Sequence, residues 1–65
     1  MTSIDEFIEG MRIMYNNNGM PRGYTVSGVR FGTVYIVPTE KYGNSHQHLY
    51  EIELRPEAWG ACVVV

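Results

Sequence analysis

The residues with chemical potential in this chain are few and scattered. His46 and His48 stand two apart, Arg22 and Arg30 are separated by Tyr24, and Cys62 is the sole cysteine. In a strand, two side chains two apart share a face, so the histidines could reach one anion or one metal. The arginines with Tyr24 make a small basic and aromatic spot that could hold a phosphate or a carboxylate. Cys62 lies in an apolar run, where a thiol behaves as a small inert hydrophobe. Ser27 and Ser45 lack the surroundings of a nucleophile elbow. Gly19, Gly23, Gly28 and Gly32 fit turns and bulges better than a phosphate cradle.

The spacing of His46, His48, Glu53 and Gly60 resembles the first motif of the cupin family, which supplies metal ligands from a β-barrel. The departures are that the leading glycine of that motif falls on Glu40, that no second motif follows and that the chain is short for such a barrel. Glu53 also has the opposite strand parity to the histidines. A metal-binding protein using His46 and His48 is therefore the least favoured of three readings, and the expectation is no metal and no cofactor.

Composition narrows the classes further. A chain of 65 residues forms one domain, residues 1–65, and buries only about 60% of its unfolded surface. Chains of this size are commonly reinforced by disulfides, a metal or a partner subunit. One cysteine excludes an internal disulfide and fits a reducing compartment. Five basic and seven acidic residues give a net charge of −2, too weak for a phosphate-tracking surface. At 45% hydrophobic and 12% aromatic the chain is globular. No apolar run approaches the roughly 20 residues of a membrane span, and no secretory leader is visible. The expectation is a soluble, cytoplasmic protein.

The elements that must position these residues read as follows. Thr2 to about Asn16 has Ser3 and Glu6 at capping-box spacing. Ile4, Phe7, Ile8, Met11, Met14 and Tyr15 fall on one helical stripe, so an amphipathic helix is expected there. Ile13 projects away from that stripe and is a candidate contact with a second chain. Asn16-Asn17-Asn18-Gly19 reads as the helix terminus. Tyr24 to Val37 is rich in β-branched and aromatic residues and divides into strands over 24–30 and 33–37, with Gly32 in a tight turn. Pro38 ends the second. A polar loop with Glu40, Lys41 and Tyr42 follows. His46 to Arg55 alternates as a strand, with His46, His48, Tyr50, Ile52 and Leu54 on its core side. Pro56 halts it, and Trp59 sits in a turn. Ala61 to Val65 is apolar on both faces, which a strand tolerates only when both are covered.

The fold expected is thus α+β, with one N-terminal amphipathic helix packed on a three- or four-stranded antiparallel sheet. Cys62, Val63, Val64 and Val65, with Ile13, would form the interface of a homo-oligomer, a dimer in the first instance. The leading functional reading is a small non-enzymatic binding protein that occludes or modulates a partner protein, a size and composition that suit a viral accessory or anti-defence inhibitor. Its contact residues would be Tyr24, Arg30, Tyr42 and Trp59, the aromatic and arginine types that dominate binding hot spots. The alternative is an oligomeric sponge that holds a small anionic, nucleotide-like ligand between subunits through Arg22, Arg30, Tyr42, His46 and His48.

Overall fold

The computed structural model describes all 65 residues except the side chain of Asn17. It is a five-stranded antiparallel sheet with only short 3₁₀ turns between the strands. The strands are β1 (Arg12–Asn17), β2 (Met20–Arg30), β3 (Thr33–Pro38), β4 (Ile52–Leu54) and β5 (Cys62–Val64). The spatial order is β4-β3-β2-β1-β5. β1 to β4 form a meander, and a 3₁₀ segment, Pro56–Ala61, carries the chain from the β4 edge to the β1 edge.

The N-terminal helix is therefore overturned. Its capping box is present: Ser3 Oγ accepts from the Asp5 N–H at 3.2 Å, and Glu6 Oε1 accepts from the Ser3 N–H at 3.0 Å. It caps a single 3₁₀ turn, Ile4–Glu6. Gly10 then takes a left-handed φ of 90°, and the chain leaves as a strand. In β1 the period is two, and Ile13, the residue that spoiled the helical stripe, is fully buried in the core. Met11 and Tyr15, two residues on either side, pack against the same core.

The asparagine run does not end a helix either. Asn18 (φ 56°) and Gly19 (φ 78°) are the two loop residues of the β1–β2 hairpin, between the paired Asn17 and Met20. Positive φ at both positions defines the turn whose twist matches the flanking strands, and Asn-Gly is its preferred sequence. The β2–β3 hairpin repeats this geometry with Phe31 (φ 53°) and Gly32 (φ 73°) between paired Arg30 and Thr33. The tight turn at Gly32 thus separates two strands, β2 being four residues longer at its start than the sequence suggests.

Strand β2 is shared along its length. Residues Met20–Thr25 pair with β1, and Tyr24–Arg30 pair with β3. Between Val26 and Gly28 the register slips, which leaves Ser27 as an extra, bulged residue. The bulge keeps Val26 and Val29 opposite Ile36 and Val34 respectively, while Ser27 and Gly28 pass to the outer face. The core comprises Phe7, Ile13, Tyr24, Val26, Val34, Ile36, Leu54 and Cys62. Full burial of an aliphatic or aromatic side chain contributes roughly 1.5–3 kcal/mol. The core is closed at its rim by Trp59, whose ring lies 5.5 Å from Phe7 and whose Nε1 donates to the Leu54 carbonyl at 3.1 Å.

The His46–Arg55 strand survives only as Ile52–Leu54, and Gln47–Tyr50 is a 3₁₀ turn. Leu54 is buried, whereas Ile52, Tyr50, His48 and His46 are exposed. The C-terminal strand is an edge strand, paired with β1 alone.

Candidate functional site

The bulge at Ser27 builds an interlocked polar cluster on the outer face. Glu51 Oε2 accepts a 2.6 Å hydrogen bond from the Ser27 hydroxyl, and Oε1 accepts one of 2.7 Å from Arg30 Nη2. The Arg30 guanidinium lies 4.3 Å above the Tyr35 ring. It can lie there because residue 28 has no side chain: a Cβ at Gly28 would stand 2.8 Å from Arg30 Nη1. Burial is the largest influence on Glu51 and pushes its carboxyl up. The Ser27 bond, the Arg30 bond and charge, and the charge of nearby His48 together outweigh it and hold the carboxyl below its ordinary range. The cluster therefore stays an ion pair at neutral pH and clamps the β2–β3 hairpin to the segment before β4.

Arg22 occupies the other end of β2. Its Nη2 is 2.8 Å from Glu40 Oε1, with both side chains about half exposed, and its guanidinium stands 5.8 Å from the Tyr24 ring centre. The bond to Glu40 raises the Arg22 pKa; the Glu40 carboxyl is lowered first by its own backbone N–H and then by Arg22. Met20, Pro21, Arg22 and Tyr24 line a shallow groove of about 350 Å³. The Tyr24 ring itself is a core group, 6.0 Å from Tyr15.

The residues expected to act together are thus dispersed. Arg22 and Arg30 stand eight residues apart on one strand, roughly 26 Å at the usual rise per residue, and each is engaged by a carboxylate. Tyr42 is partly exposed, with its hydroxyl beside Gly10. His46 and His48 are exposed in and beside a 3₁₀ turn. With three residues per turn, positions two apart no longer share a face, so the strand geometry that aligned the histidines is absent. Among the described residues no group of three or more His, Cys, Asp or Glu is placed to hold a metal ion. Trp59 is half-buried and braces the core rim. Of the five interface candidates, Ile13 and Cys62 are buried within this chain, while Val63, Val64 and Val65 are exposed. Burial also pushes the Cys62 thiol up, away from its reactive form.

Two features of the surface stand out. The first is the open edge of β5, the segment the sequence offered as an interface and the structure places at the end of the sheet. The Val65 N–H donates to the Arg12 carbonyl at 3.1 Å, and Met14 pairs with Val63. Antiparallel ladders alternate, so the backbone groups of Cys62 and Val64 point outward, away from β1. The opposite edge, β4, carries Glu53 and runs into Arg55 and Pro56, groups that discourage pairing. β5 carries no such guard. The second feature is Phe31, fully exposed at the hairpin tip. Among the described residues no helix is long and apolar enough to cross a membrane. Compared with known proteins, the chain matches no family model, no curated protein and no solved structure.

Proposed function

We propose that this chain is a non-enzymatic protein-binding module that pairs with a second copy along β5 and uses its remaining surface to occlude a partner protein. The observation that carries the pairing is the unguarded β5 edge. With Val63 on the two-fold axis, Cys62 of one copy meets Val64 of the other, and the outward backbone groups of both can exchange hydrogen bonds. Val63 then lies opposite its own counterpart, flanked on the same face by the exposed Met14 of each copy. Such a contact is isologous and closes at two. It is short, at the low end of specific interfaces, so the dimer is reversible and concentration-dependent. The absence of catalysis is supported by how the polar groups are used: Glu51, Ser27, Arg30 and Arg22 are engaged in holding strands and turns together.

Sedimentation of the purified chain over a wide concentration range tests the pairing. The wild type is expected to shift from one copy to two. Val64→Pro removes an outward N–H that β1 does not use, so it is expected to leave the fold intact by circular dichroism and hold the chain at one copy. A wild type that stays single at the highest concentration overturns the pairing.

A further inference from the structure

The two hairpins of this sheet provide an internal comparison. Both have two-residue loops with positive φ at both positions, Asn18-Gly19 in one and Phe31-Gly32 in the other. Asn is among the residues that tolerate the left-handed region, because its short polar side chain bonds locally. A bulky aromatic at that position is an outlier. Phe31 gains nothing in return within the chain, since its relative exposure is 101%. The folded chain therefore holds a strained backbone and a bare phenyl ring at the same residue. Strain of this kind clusters at functional positions.

The strand end beside the tip is also tied to its neighbours. Arg30, the residue before Phe31, is fixed by its bond to Glu51 and by stacking on Tyr35. Tying down the backbone beside the ring lowers the ordering cost that binding at the tip would carry. Its electrostatics select the partner's chemistry. Arg30 is neutralised by Glu51, Val29, Gly32 and Thr33 are uncharged, and the whole chain carries −2. A neutral aromatic tip on an acidic chain has no attraction for phosphate, nucleic acid or an anionic bilayer. It fits an apolar pocket in a protein.

We infer that Phe31 is the anchor of a protein interface, inserted into an apolar, phenyl-sized pocket on the occluded partner. This rests on reading the chain as protein-binding and is independent of pairing along β5. The complementary surface includes the half-exposed Val29 beside the tip. The conformational preference of position 31 and the requirement of the interface are opposed, so one substitution separates them: Phe31→Asn relieves the backbone and removes the ring.

Site-directed photocrosslinking tests this in the cells that make the protein. The benzophenone amino acid p-benzoylphenylalanine is placed at position 31 in one chain and at position 18 in another, two tips of the same geometry. The expected result is a discrete protein adduct from position 31 that position 18 does not give. Excess wild-type chain suppresses it, and excess Phe31→Asn chain does not, because loss of a hot-spot residue weakens binding by about thirtyfold or more. Phe31→Asn is also expected to unfold at higher urea than the wild type. Equal labelling at positions 31 and 18, an adduct of two copies of this chain, or an adduct with lipid overturns the inference. Affinity capture then locates the fault. A partner retained equally by wild type and Phe31→Asn leaves the protein-binding reading standing and removes Phe31 from it, whereas no partner on either chain removes both.

Discussion

At the scale of single residues, the outer-face cluster depends on a missing side chain as much as on those present. Gly28 gives the Arg30 guanidinium room to reach Glu51 across the surface of β2. Gly28→Ala is expected to displace the guanidinium and not the backbone, because the clash falls on the far end of a flexible side chain. Its loss of stability should match that of Arg30→Ala, and the double variant should lose little more, a non-additivity readable in a denaturation cycle. Glu51 binds Ser27 and Arg30 through a charge-assisted pair, and hydrogen bonds to charged groups contribute on the order of 1.5–3 kcal/mol. Its carboxyl is depressed in the folded chain. That contribution is therefore complete above the ordinary carboxylate range and is lost as pH falls through the lowered value. The stability difference between wild type and Glu51→Gln should be largest at pH 7 and shrink in strongly acidic buffer. A difference that stays constant with pH would remove Glu51 from the account. Cys62 is the converse case, a thiol raised by burial. It should react slowly with a thiol reagent in the folded chain and promptly in urea.

At the scale of elements, the first seventeen residues show how two periodicities compete within one short segment. Ser3 and Glu6 form their capping box, and a run of apolar residues spaced three and four apart follows, so local signals favour a helix. Gly10 interrupts it, and from Met11 onward alternation places Met11, Ile13 and Tyr15 on one face. Ile13 decides between them. A helix leaves it on the surface, where truncation changes stability by no more than about 0.5 kcal/mol. In β1 it is fully buried, and Ile13→Ala should cost about 2–5 kcal/mol by urea denaturation. The hairpins offer a matched pair of opposite sign. Asn18→Ala places an unsuitable residue at positive φ and should lose roughly 1–2 kcal/mol, while Phe31→Asn should gain. The hairpin signal was present in the sequence as Asn18-Gly19 between apolar-containing runs. It was obscured because the same residues also end helices. The strand pair around Gly32 was legible because β-branched residues crowd both sides of it. The His46–Arg55 alternation gave only Ile52–Leu54, since alternation alone does not supply a neighbour, and β3 pairs with those three residues alone.

At the scale of the molecule, the two edges of the sheet differ in kind. β4 is guarded by charge and proline, and β5 is not. The sequence by itself determined that Ala61–Val65 is a greasy segment needing cover, that Cys62 has no cysteine to bond within the chain, and that strands flank Gly32. These follow from residue type and near-neighbour spacing. Only the tertiary structure decided that one face of the final strand is partly covered by the chain's own core, with Cys62 inside and Val63 outside. It also decided that the candidate arginines stand far apart, each on a carboxylate, and that the histidines lie on an exposed turn. Strand order and the bulge at Ser27 fix these placements. Both arise from pairing between residues distant in sequence, and local periodicity carries no record of which strand will lie beside which.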